Sequence, residues 1–204
     1  MHLEFLLEEP SAEAFLQGFL PRILASEATW NLIKFQGKLD LLSQLESRLR
    51  GYRAWLPEDW RIVVLVDGDR QDCKALKAKL DAAAASAGLR TKTQANGGQF
   101  VVLNRVAVEE LEAWFLGDVE GLRAAYPGVS PNLAKQQKFR DPDAIAGGTW
   151  ETLEKVLQKA GHFRGGLGKI ELSRTMARHI DPGRNRSRSF RCFMQGLESL
   201  RGAS

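Results

Sequence analysis

The stretch RIVVLVDGDRQD, residues 61–72, constrains this chain more than any other. Ile62 to Val66 form an unbroken, mostly β-branched apolar run with charge on both sides. A run of that length and composition fits a central strand covered on both faces, which in turn demands helices above and below a parallel sheet. The run passes straight into Asp67, Asp69 and Asp72. In open α/β sheets the carboxyl ends of strands are where sites form, so a buried strand that ends on acids marks a candidate site.

The flanking segments read in the same way. LEFLL is a strand ending at Glu8, and PSAEAFLQGFLPRIL is a helix capped by Ser11, with Pro21 expected to kink or restart it. TWNLIKF is a second strand. Leu42, Leu45 and Leu49 recur at helical spacing, and Leu76, Leu80, Ala83, Ala84 and Ala87 form a helical stripe closed by Gly88. LRTKTQ and FVVLN read as strands joined by an Asn96-Gly97-Gly98 turn, and AVEELEAWFLGD as a helix. YPGVSPN and RDPDAIAGG are loop-rich, and TWETLEKVLQKA, KIELSRTMARHI and SRSFRCFMQGLESL are helices. The expected fold class is therefore α/β. Residues 1–125 form a mainly parallel, Rossmann-like sheet flanked by helices, and residues 126–204 form a helical, basic extension packed on it.

Two distant cysteines and three scattered histidines argue against a disulfide framework or a histidine-rich metal site. No apolar run approaches the roughly 18 residues that cross a bilayer, and the acidic start after a short apolar run does not read as a signal peptide. A reduced, cytoplasmic protein is expected. The net charge of +4 says little, but its distribution says more. Arg164, Lys169, Arg174, Arg178, Arg184, Arg186, Arg188 and Arg191 crowd residues 164–191. Ser187 or Ser189 capping the last helix would leave free N–H groups beside these arginines, a site for phosphate. The alternative is a solvated basic face or salt bridges.

If the strands ending at Glu8 and Asp67 are neighbours, Glu8, Asp67 and Asp69 converge and repel unless Mg²⁺ or Mn²⁺ joins them. Gly68 would let backbone and substrate approach closely. Asp72 is either a further ligand or a helix cap. Glu112 lies on the apolar stripe of Val108, Leu111 and Phe115, where a carboxylate needs a metal or a salt bridge, for instance to Arg123 or Arg174. Trp114 and Trp150 read as packing residues. Lys169 follows RGGLG near a helix start, where it could stabilise charge on phosphate. The sequence around it lacks the Walker spacing, so ATP binding by this chain is not expected.

These residues carry a resemblance. LLEEPSAEAFL looks like the Glu-bearing first motif of Toprim domains, and VVLVDGDRQD looks like their Asp-x-Asp motif. More closely, the chain resembles the DUF4276 family of small Toprim-like proteins, related to the Toprim domains of overcoming-lysogenization-defect nucleases. The features that carry this are LLEEPSAEAFL, VDGDRQDCKALK, VEELEAWFLGD, Lys169 in GKIELSRTMARHID, and NRSRSF. Glu8 matches the first-motif acid, Asp67 and Asp69 the Asp pair, and Glu112 the Glu before Ala-Trp. Glu9 stands where a Gly is usual. The resemblance implies a Toprim-like core, Mg²⁺, nuclease activity, and a place beside an ABC-like or AAA ATPase in phage-defence or abortive-infection systems.

The expected function is thus a nuclease that hydrolyses DNA or RNA with Mg²⁺ or Mn²⁺. Glu8, Asp67 and Asp69 would hold a first ion, Glu112 and Asp72 would serve a second, Lys169 would stabilise the phosphate, and Arg184, Arg186 and Arg188 would grip nucleic acid. Neither Tyr52 nor Tyr126 reads as a topoisomerase nucleophile. One rival is a non-catalytic subunit of a partner ATPase that docks through the Phe190–Leu200 helix face. The other is a phosphoacceptor domain of the response-regulator kind, which the spacing DGDRQD fits poorly.

Overall fold

The structure is a computed structural model that describes residues 1–24, 28–69 and 71–201. Four strands form one sheet: β1 (His2–Leu7), β2 (Thr29–Lys34), β3 (Trp60–Asp67) and β4 (Val102–Ala107). Every pairing is parallel and the spatial order is β2-β1-β3-β4. The helices are α1 (Pro10–Leu24), α2 (Lys38–Trp55), α3 (Cys73–Ser86), α4 (Lys92–Ala95), α5 (Glu112–Gly117), α6 (Val119–Ala125), α7 (Thr149–Lys159), α8 (Lys169–His179) and α9 (Arg188–Arg201). Among the described residues no helix is long and apolar enough to cross a membrane.

Alternation along the strands divides the core into two layers. Leu3, Phe5, Leu7, Val63 and Leu65 face a large cluster built with α1 and the helices that follow β4. Leu6, Ile62, Val64 and Val66 face the opposite cluster, with Leu41, Leu45 and Leu49 of α2 and Leu76 and Leu80 of α3. β1 and β3 are thus buried on both faces, as their continuous apolar character requires. The large cluster includes Phe15 and Phe19 of α1, Trp114, Leu153, Met176 and Phe190, so residues beyond 125 share one core with the sheet. α8 lies along α1 so closely that a Cβ on Gly18 would sit 2.9 Å from the Ala177 Cβ. Phe190, Phe193, Leu197 and Leu200 are all buried, so this face of α9 completes the core instead of offering the docking face that the regulatory-subunit rival needs.

Four local expectations change. Ser11 is the second residue of α1 and not its cap, and Pro21 does not restart the helix, which runs on to Leu24. LRTKTQ is not a strand: Thr91 and Gln94 form a capping box that starts the short α4, and only a Thr91–Val102 bridge touches the sheet. Alternating polar Thr and Lys mimic a strand locally, but the reciprocal cap decides the structure. AVEELEAWFLGD yields helix only from Glu112, because its first residue ends β4. Gly88 does close α3, with φ +72 and its N–H donating to the Ala85 carbonyl at 2.9 Å.

Candidate active site

β1 and β3 are neighbours in register from His2–Trp60 to Leu7–Leu65, so Glu8 and Asp67 leave the sheet side by side. The Asp67 N–H donates to Glu8 Oε2 at 2.9 Å, and the Glu8 N–H donates to the Leu65 carbonyl at 3.3 Å. Glu8 is half-buried, whereas Asp67 is buried at 8 % exposure. Glu112 opens α5 and is wholly buried, and among the described residues neither Oε1 nor Oε2 has a hydrogen-bond partner. Lys169, the first residue of α8, reaches in from the other side. Its Nζ lies 3.8 Å from Glu110 Oε1, 4.0 Å from Glu112 Oε1 and 5.0 Å from the centre of the Trp150 ring.

The electrostatics follow from this crowding. Burial pushes the Asp67 carboxyl well above its ordinary range, and repulsion from Glu9, Glu112 and Glu8 adds to it. Burial raises Glu112 to about 7, while Lys169 and the residue's own amide pull back. Burial also raises Glu8, against the Asp67 N–H and Lys38. Burial alone would lower Lys169, but Glu112, Glu9, Glu110 and Asp67 together hold its pKa above the usual lysine value. Among the described residues Glu8, Glu9, Asp67, Asp69, Glu110 and Glu112 share this edge with the ammonium groups of Lys169 and Lys38, which leaves the acids undercompensated.

The remaining predicted residues separate from this group. Asp69 has a left-handed φ of 48, and its exposed carboxylate pairs with Lys38. Asp72 caps α3, accepting from the Lys74 N–H at 2.9 Å. Gly68 makes its close approach to protein, its N–H donating to the Ala107 carbonyl at 2.7 Å, and a Cβ there would crowd that carbonyl at 3.2 Å. Arg184 pairs with Asp118 at 3.1 Å and with Asp181 at 3.4 Å. Arg186 donates to the Phe139 carbonyl at 3.0 Å. Arg188 is exposed, with no hydrogen bond or ion pair among the described residues.

The N-terminus of α9 is already filled by a carboxylate. Asp143 accepts from the Ser189 N–H at 2.9 Å and from the Ser187 hydroxyl at 2.7 Å. The NRSRSF segment therefore fastens the fold: Asn185 donates to the Trp114 carbonyl and the Trp114 indole donates to Ser189 Oγ, both at 2.8 Å. Sequence patterning did not assign Glu110, Glu9 or Lys38 to this edge. Glu110 Oε2 accepts from Thr149 Oγ1 and from the Trp150 N–H, both at 2.8 Å, and so holds the start of α7 against the site.

The donor set suits a hard divalent cation: it is all carboxylate oxygen, and both Glu112 oxygens are buried without a hydrogen-bond donor among the described residues. It is not a closed shell. Among the described residues no three His, Cys, Asp or Glu side chains are grouped tightly enough to hold an ion, Glu8 Oε2 being turned onto the Asp67 amide. No curated protein and no solved structure matches the chain. A family model does match, over residues 7–198, from just before Glu8 through most of α9. The chain belongs to that family, DUF4276, a domain of unknown function.

Proposed function

We propose that this protein is a Mg²⁺- or Mn²⁺-dependent nuclease with a Toprim-like core, hydrolysing phosphodiester bonds of DNA or RNA. The setting proposed with it is a cytoplasmic phage-defence system that includes an ABC-like or AAA ATPase partner. One observation carries the reading: Glu112 is wholly buried, its carboxylate oxygens have no hydrogen-bond partner among the described residues, Lys169 Nζ comes no nearer than 4.0 Å, and Asp67 lies within electrostatic reach at a parallel sheet's carboxyl edge. A purely structural acid at such a position would have donors built around it.

Glu8, Asp67 and Glu112 would have to draw closer together than they stand here to hold the cation, with Asp69 at the rim, and the bound ion would supply a polarised water and counter-charge for the phosphate. Glu112, raised to about 7 without metal, would give up its proton as the cation binds, because a ligating carboxylate is ionised. Lys169 Nζ, kept charged by the acids around it, is the donor that would meet negative charge growing on the attacked phosphate. Tyr52 supplies no nucleophile: its hydroxyl donates to Glu4 at 2.9 Å, toward the opposite end of β1, and its pKa is raised. Hydrolysis is therefore favoured over strand passage.

The test compares wild type with Asp67→Ala on DNA, RNA and tRNA, with Mg²⁺ or Mn²⁺ added. Metal-dependent cutting by wild type alone supports the reading. Equal cutting by both proteins, or none by wild type on any substrate, removes it. A second reading, a non-catalytic subunit regulating the ATPase partner, draws on the engagement of Asp69 with Lys38 and of Asp72 as a helix cap. Calorimetry in which wild type takes up neither Mg²⁺ nor Mn²⁺ would favour it.

A further inference from the structure

We infer that the groove between α1 and α8 holds the phosphodiester backbone of a nucleic-acid strand, gripped by Arg174 and Arg178 as the strand enters the acid cluster. The identity of the ligand rests on the nuclease reading. The placement rests on independent features of the surface.

The groove has a volume of about 460 Å³, and Pro10, Gln17, Lys34, Ile170, Arg174 and Arg178 are among the residues lining it. Its mouth is at the site. Pro10 follows Glu8 and Glu9, Ile170 follows Lys169, and Lys34 ends β2 opposite Leu7. Ile170, Arg174 and Arg178 recur every fourth residue, so they form one row along α8. At about 1.5 Å of rise per residue, Arg174 and Arg178 lie roughly 7 and 13 Å along the helix from Lys169. Their separation of about 6 Å spans roughly two nucleotide rises of 3.4 Å. A strand laid in the groove with that rise would thus present every second phosphate to the two guanidinium groups while a third reached Lys169.

The two arginines of the groove are available, unlike Arg184 and Arg186. Arg174 and Arg178 are exposed, and neither has a hydrogen bond or ion pair among the described residues. The acid that lines the groove, Glu13, is already paired with Lys34 at 3.0 Å. At the far end Arg22 donates to the Ala177 and Ile180 carbonyls at 2.5 and 3.1 Å, which offsets the negative end of the α8 dipole there. The floor stays low because Gly18 carries no side chain where α1 meets Ala177. Ile170, 41 % exposed, gives an apolar ledge for a sugar or base. By contrast, Arg184 and Arg186 are occupied by Asp118 and by the Phe139 carbonyl.

The experiment measures fluorescence anisotropy of a fluorescein-labelled single-stranded DNA, and of the matching RNA, with the full chain in EDTA so that nothing is cut. The Arg174→Ala/Arg178→Ala pair should weaken binding about tenfold or more and reduce the salt slope by about 1.4, near 0.7 for each phosphate that is no longer neutralised. Arg174→Lys/Arg178→Lys should keep most of the slope, which separates removal of charge from damage to the fold. Lys155→Ala/Lys159→Ala removes the same charge from exposed positions of α7 and should change affinity less than twofold. Binding and slope unchanged in the alanine pair, or no strand binding by wild type, overturns the groove. Wild type that binds through the arginines yet never cuts leaves the groove standing and ends the nuclease reading. Cutting abolished in Asp67→Ala, with alanine-pair binding unchanged, does the reverse.

Discussion

The two edges of this sheet bury acid in opposite ways. At the amino edge, Glu4 of β1 is 4 % exposed, yet both its oxygens are met: Tyr52 Oη donates to Oε2 at 2.9 Å, and His2 Nε2 lies 3.0 Å from Oε1. His2 is held in turn by Thr29 Oγ1 at 2.7 Å and by packing on the Trp60 ring. At the carboxyl edge, Glu112 is buried at 0 % with no hydrogen bond to either oxygen among the described residues and Lys169 Nζ only at 4.0 Å, and Asp67 faces three other acids. Desolvating a carboxylate is tolerable when donors replace its water. Where the donors are missing, the cost persists in the folded state and points to a ligand that the fold itself does not provide.

Substitutions that treat the two edges alike should break this comparison most sharply. Asp67→Asn and Glu112→Gln should each lower metal-dependent cleavage by about 10²- to 10³-fold, while Glu4→Gln leaves cleavage within about twofold. Steady-state rates on one substrate check all three, and a comparable loss in Glu4→Gln would erase the distinction.

The pH dependence of stability is the next largest effect. Glu112 is raised from 4.5 to about 7, so the folded state binds more protons than the unfolded one and metal-free stability falls as pH rises through that window. Its share is at most about 3 kcal/mol, because the carboxyl-edge acids titrate together. Chemical denaturation at a series of pH values should show this fall, Glu112→Gln should flatten it, and excess Mg²⁺ should oppose it. Stability that climbs between these pH values in metal-free protein would contradict the undercompensated cluster.

Smaller effects sharpen the structural side. Tyr52→Phe leaves Glu4 Oε2 without its donor and should cost about 1–3 kcal/mol, read from the denaturation midpoint, with cleavage retained. Asp72→Ala removes the α3 cap and should cost about 1 kcal/mol without changing Mn²⁺ affinity, since its side chain serves the Lys74 amide. Weakened Mn²⁺ affinity in that variant would return Asp72 to the site.

What could be read from the sequence follows the range of the interactions. Strand ends are local: the apolar run and its terminal acids point to Glu8 and Asp67 without any knowledge of their neighbours, and helical spacing points to Glu112 although the helix begins only at that residue and Val108 lies outside it. Strands buried on both faces imply a mainly parallel sheet, and the pairings of the four strands are in fact all parallel. Long-range partners leave no such trace. Nothing near Arg184 signals Asp118, 66 residues away, and nothing near Ser189 signals Asp143, 46 residues away, so a basic run that fastens the fold reads as a binding surface. Lys38 and Glu110 escape notice for the same reason: one opens a helix and one precedes α5, and only the packing turns them toward the acids.

The most direct measurement is anomalous diffraction from crystals soaked in Mn²⁺. The account predicts a peak bounded by the carboxylates of Asp67 and Glu112, with Glu8 beside it, and its disappearance in Asp67→Asn. Saturating Mn²⁺ that gives no peak there, or only one at Asp72 or another exposed acid, would contradict it.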